Sequence, residues 1–130
     1  MRASLALLLL FTALRGVCHA QPPVRTRIEV ESPDETTRAT ILTDARAKVR
    51  AASATHVLVE EDQGTAERFI RFRAEAVQNA NKERMGVVLA ILLTRSPSQG
   101  EHDILWLRAR FVPVGGLKAA VEEEVARALE

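Results

Sequence analysis

The chain has 130 residues, with 18 Lys and Arg against 17 Asp and Glu, for a formal charge of +1 at pH 7. That near-balance excludes the basic footprint of a nucleic-acid binder or a strongly anion-seeking membrane protein. Hydrophobic residues make up 47%, enough for a single core in a single domain.

The first twenty residues have the layout of a cleavable secretory signal. Arg2 supplies the positive end, Leu5 to Leu14 form the apolar stretch, and Val17-Cys18-His19-Ala20 ends in small residues. An apolar run of about ten residues is short of the ~20 that cross a bilayer as a helix. The expected organisation is a signal peptide over 1–20 and one domain over 21–130. Cleavage removes Arg2 and Arg15, leaving 16 basic against 17 acidic residues, a charge of −1. It also removes Cys18, the one cysteine, so the remaining domain has no disulfide or thiolate chemistry. The alternative, an outer-membrane lipoprotein anchored through Cys18, meets Arg15 and Val17 where a lipobox needs Leu and a small residue. With no Asn-x-Ser/Thr sequon, a bacterial periplasm is the expected destination, with no integral membrane segment after cleavage.

After the extended leader Gln21-Pro22-Pro23, residues Val24 to Glu31 alternate apolar or small with charged, which predicts a half-buried strand. Ser32-Pro33-Asp34-Glu35 reads as a helix start, with Ser32 as cap, Pro33 in the first turn and Glu35 completing a capping box. Ile41, Leu42, Ala45, Val49 and Ala52 then share one face of a helix to about Ser53. Thr55 to Val59 is β-rich and predicts a short strand. Residues 65–85 fit two periods. Ile70, Phe72, Ala74 and Ala76 alternate as in a strand, whereas Ala66, Phe69, Ile70, Ala74 and Val77 also line a helical face. The position of Phe72 favours a strand over Glu67 to Val77 with a polar turn after it.

Gly86 to Thr94 is almost wholly apolar and predicts a central strand buried on both faces. A turn over Ser96 to Gly100 leads to a second hairpin strand, Ile104 to Val112. Pro113 and Gly115-Gly116 end it, and Leu117 to Leu129 carries a helical stripe of Leu117, Ala120, Val121, Val125 and Leu129. The order β-α-β-β-β-β-α (alternatively β-α-β-α-β-β-α) predicts an α+β two-layer sandwich: a mostly antiparallel sheet with helices on one face. The expected core contains Leu42, Val49, Val57, Leu89, Ile91, Leu107, Phe111, Leu117, Val121 and Val125.

Few residues carry chemistry. His102-Asp103 is the one His–carboxylate neighbour pair, and His56 is the other histidine outside the leader; neither has metal-ligand spacing. Glu60-Glu61-Asp62 lacks a calcium-loop pattern, Ser96 and Ser98 lack a nucleophile elbow, and Gly115-Gly116 is a single glycine pair before a helix. No cofactor or metal is expected. Trp106, Arg108 and Arg110 alternate with Leu105, Leu107 and Phe111, so the reading that buries the leucines turns Trp106 outward. Arg71 and Arg73 stand likewise opposite Ile70 and Phe72. Trp106, Arg108, Arg110, Arg71 and Arg73 are therefore the expected binding patch.

A helix leading into Ala54-Thr55-His56-Val57-Leu58-Val59, then antiparallel strands and a closing helix over Leu117 to Leu129, resembles the domain at the N-terminus of TolB. The resemblance is one of element order across most of the exported portion, without a shared motif. It implies a binding or assembly module of the cell envelope, with a protein or envelope component as partner. A small periplasmic hydrolase or metal-dependent enzyme built on His56, His102 and nearby carboxylates is the alternative. N-terminal sequencing of exported protein should begin at Gln21; a species starting at lipid-bearing Cys18 would replace the soluble export route with anchorage.

Overall fold

The computed structural model describes residues 21–96 and 101–130; the leader and the Pro97–Gly100 part of the expected turn lie outside them. Strand β1 (Val24–Glu31) is followed by helix α1 (Glu35–Ala51), β2 (His56–Leu58), β3 (Arg68–Gln78), β4 (Arg84–Arg95), β5 (Asp103–Pro113) and helix α2 (Leu117–Ala128). The fold is the α+β two-layer sandwich, in the order β-α-β-β-β-β-α, and residues 65–85 take the strand-and-turn form. In the single five-stranded sheet the spatial order is β2-β1-β3-β4-β5. The long pairs β3–β4 and β4–β5 are antiparallel, while β1 runs parallel to both β2 and β3.

Helix α1 starts two residues later than its sequence suggests. Asp34 is the cap, accepting from Thr36 N–H and from the Thr37 hydroxyl, while Ser32 accepts from Asp34 N–H. Pro33 therefore precedes the helix and Glu35 forms no capping box. An ionised Asp cap also complements the positive end of the helix dipole. The buried face of α1 is Thr37, Ile41, Ala45 and Val49, spaced by four as a helix laid on a sheet requires.

One layer of side chains makes the core. Ile28, Ile70, Phe72, Ala74, Val87, Leu89, Ile91, Leu93 and Val112 rise from the sheet toward Ile41, Ala45 and Val49 of α1 and Ala120, Val121, Val125 and Ala128 of α2. Leu42 and Leu117 pack against this cluster in partial burial. Three expected core residues are not in it: Val57 is 41%, Phe111 51% and Leu107 65% exposed. Register explains the last two. Leu93 pairs with Trp106, Ile91 with Arg108 and Leu89 with Arg110, which places Trp106, Arg108 and Arg110 on the helix side. Leu107 and Phe111 pair with Leu92 and Val88 on the opposite side. Strand β4 is accordingly apolar on both faces but covered by helices on only one.

The crossover from β2 to β3 passes over β1 in nine residues and contains no helix, shorter than the usual parallel connection. Two arginines of β1 hold it. Arg25 donates to the carbonyls of Thr65 and Gln63, and Arg27 to those of Glu60 and Gly64. Gly64 turns with φ +105, a conformation that L side chains rarely adopt.

Truncation separates the two faces of β4 and β5. Leu89→Ala, at 0% exposure, should cost ~2–5 kcal/mol by denaturant unfolding, as buried Leu truncations do. Leu107→Ala should stay within about 0.5 kcal/mol, as surface changes do.

Candidate functional site

The helix-free face of the sheet is divided lengthwise. On β1 and β3 it carries Arg25, Arg27, Glu29 and Glu31 beside Phe69, Arg71, Arg73 and Glu75; on β4 and β5 it carries Val88, Ala90, Leu92 and Thr94 beside Leu107, Ala109 and Phe111. The charged half is tied internally. Arg71 donates to Glu29 at 2.6 Å and Arg73 to Glu75 at 3.4 Å. The Arg71 and Arg27 guanidinia also lie 5.1 and 5.7 Å from the centre of the Phe69 ring, within cation–π range. His102 meets the same ring edge-on at 5.2 Å. Phe69 is thereby buried at one end of an otherwise open face.

The apolar half is uncovered. Val88 is 39% and Leu105, at a register shift in β5, 41% exposed, beside Leu107 and Phe111. The Phe111 ring lies over Gly86, where an added Cβ would fall 2.7 Å from the ring and 2.2 Å from the Val112 carbonyl. A side chain at position 86 would push Phe111 off the strand, so this glycine sets the surface shape. Between the halves runs a shallow groove of about 360 Å³, lined by Glu29, Arg71, Arg73, Ala90, Leu92 and Leu107.

The five residues expected to form one patch do not meet. Arg71 and Arg73 are on the open face, whereas Trp106, Arg108 and Arg110 are on the helix face. Trp106 is half-buried and packs against the core. Arg110 reaches Glu123 at 3.0 Å and Glu124 at 3.3 Å, and Arg108 reaches Glu124 at 3.6 Å. Glu124 is fully buried, and its Oε2 accepts no hydrogen bond, facing Arg108 and Arg127 at 3.6 and 3.8 Å. This cluster fastens β5 to α2. Burying a carboxylate is costly unless it is paired, and here cations on three sides compensate it. The acidic run Glu122-Glu123-Glu124 on the last helix was the sequence clue that Arg108 and Arg110 had partners there.

The two histidines are also separated by the sheet. His56 lies on the helix side, 3.2 Å from the Thr26 hydroxyl through Nδ1 and 3.1 Å from the Leu129 carbonyl through Nε2. The carbonyl can only accept, which makes Nε2–H the donor and ties β2 to the end of α2. His102 lies on the other face against Phe69, so a joint His56/His102 active site does not form. Glu60 pairs with Arg46 at 2.9 Å, and Asp103 with Arg95 at 3.0 Å. Among the described residues no group of three His, Cys, Asp or Glu is arranged to hold a metal ion, and no helix is long and apolar enough to cross a membrane.

No protein-family profile matches the chain, and no curated protein matches it. Solved structures superpose on it. A PelC dodecamer from Paraburkholderia phytofirmans superposes with a TM-score of 0.50 at 14% identity, over 85% of this chain and 87% of that one. The lipoprotein GNA1162 from Neisseria meningitidis superposes with a TM-score of 0.46 at 12% identity, over 81% of this chain and 96% of that one.

Two carboxylates have pKa values below their ordinary range. The Thr37 hydroxyl, then the Thr36 and Thr37 N–H groups and Arg84, hold Asp34 down, and Arg110, then Arg127, holds Glu123 down. A lowered folded-state pKa gives stability that is complete above the unfolded value and lost as pH falls through the folded one. Thermal stability should therefore be level from pH 7 to about 5 and decline below about pH 4. Asp34→Asn should make that acid limb shallower; an unchanged limb would remove Asp34 from it.

Proposed function

We propose that this chain is an exported, non-enzymatic binding module of the bacterial cell envelope that works by docking its open sheet face. The carrying observation is the apolar band of Val88, Leu107 and Phe111, left uncovered around half-buried Leu92 and beside charges already paired to one another. An uncovered apolar band on an ordered sheet marks an interaction surface. Three further features support the reading. The leader over residues 1–20 has the layout of an export signal. The element order resembles that of the TolB N-terminal domain. The PelC protein of the same fold assembles as a dodecamer, which makes assembly a natural use of this architecture.

The arrangement is suited to holding a surface. The His–hydroxyl contact among the described residues, His56 with Thr26, is buried on the helix side and joins β1 to β2, away from the open face. Leu107→Glu places a charge in the centre of the band without touching the core. Native electrophoresis of envelope extracts should place the unaltered chain in a species larger than one copy and Leu107→Glu in a smaller one, with the same far-ultraviolet circular dichroism. Equal migration of the two would overturn the reading.

A further inference from the structure

Resting on that docking reading, we propose that the occupant of the open face is a second copy of this chain, the two sheets stacking about a twofold axis. Shape is the first reason. Ala90 and Ala109 are cross-strand partners, so a dip lies between the Leu92/Leu107 pair and the Val88/Phe111 pair. Leu107, the most exposed of these at 65%, is the knob that fits such a dip in a partner. A twofold contact needs one surface that carries both knob and hole, since each residue meets the other copy's surface in return. Sheets stack ~10 Å apart through interdigitated side chains, a separation that a Leu over an Ala pair fills.

Charge is the second reason. The flank of the band shows both signs as near neighbours, Glu29 with Arg71 and Arg73 with Glu75. A polyanion or an anionic bilayer finds no net field there. A second copy presents the same alternating rim, in which each Arg can meet a Glu, and the exported portion carries a charge of only −1 per copy, so two copies repel little. Area is the third reason. With large side chains carrying roughly 150–250 Å² each, the exposed fractions of Val88, Leu105, Leu107 and Phe111 sum to on the order of 400 Å². A standard interface buries ~800 Å² per partner, which this band reaches together with its charged rim. The helices cap the outer sides, giving four layers: helices, sheet, sheet, helices.

Crosslinking and sedimentation test it on protein expressed with residues 1–130 and recovered after export. In a Cys18→Ser background, a flexible bifunctional maleimide should join Leu107→Cys into a covalent dimer at least tenfold faster than Thr43→Cys on the exposed side of α1. Sedimentation should give two copies or an even multiple for the unaltered chain. Leu107→Glu and Ala109→Arg, both at exposed positions, should each halve that mass while retaining the circular dichroism of the fold. A multi-copy species unaffected by either variant would place the contact elsewhere and overturn the proposal. So would a single-copy wild type whose larger envelope species is still lost in Leu107→Glu; that result keeps the docking reading and assigns the face to a different protein. Single-copy protein that floats with phosphatidylglycerol vesicles in a Leu107-dependent manner would overturn it in favour of a lipid surface. Persistence of the large envelope species in Leu107→Glu would instead overturn the docking reading itself.

Discussion

Two helices can cover one face of this sheet and no more. Five strands spaced ~4.8 Å apart span about 19 Å, and two helices ~10 Å across laid side by side span nearly the same width. Helices α1 and α2 therefore exhaust themselves on the face that carries Ile70, Leu89 and Ile91. Everything on the other face must be protected by its own side chains, by the β2–β3 loop that Arg25 and Arg27 hold, or by something outside the domain. On β1 and β3 the first solution is in place, through paired charges and the arginines over Phe69. On β4 and β5 it is not, and function is read from that difference.

Arginine is the residue that makes the architecture close. Arg25 and Arg27 replace the helix that a parallel crossover ordinarily uses, by satisfying the carbonyls of the loop between β2 and β3. Arg108 and Arg110 secure the edge strand β5 to α2 through a fully buried Glu124. A planar guanidinium, with its donors fixed in a fork, suits both tasks better than the compact point charge of an ammonium. These four arginines thus serve the fold, their donors taken up by carbonyls and carboxylates within it.

Periodicity made the elements legible, and it left their orientation open. Alternation identified β1, β3 and β5, and spacing by three and four identified both helices, because those patterns are local properties of the backbone. Which side of β5 faces the helices is not local. Leu105, Leu107 and Phe111 look like core by hydrophobicity alone, yet the register with β4 puts Trp106, Arg108 and Arg110 under α2. The error arises because an arginine paired with a buried glutamate satisfies the inner face, and hydrophobicity does not register that pairing. Strand β4 misled in the same way: an apolar stretch from Val87 to Leu93 signals two apolar faces, and whether both are covered depends on how many helices the chain supplies. The helix cap went to Asp34 instead of Ser32 for a local reason, since an Asp accepts from two threonines and benefits from the dipole.

This reversal changes what the candidate surface means for selection on stability. Had Leu107 and Phe111 been core residues, their size would be explained by packing and no ligand would be needed. On the open face they contribute little to folding and add the hazard of unspecific association, which edge and surface positions normally avoid through charge. Strand β5 follows that rule on its helix side, with Arg108 and Arg110, and departs from it on the outer side. Gly86 reinforces the departure, because its lack of a side chain lets Phe111 lie flat along the sheet. A surface that is apolar and dimpled at Ala90 and Ala109 has the shape that the proposed second sheet would fill, and in that proposal the one-sided helix cover and the partner are two parts of one arrangement.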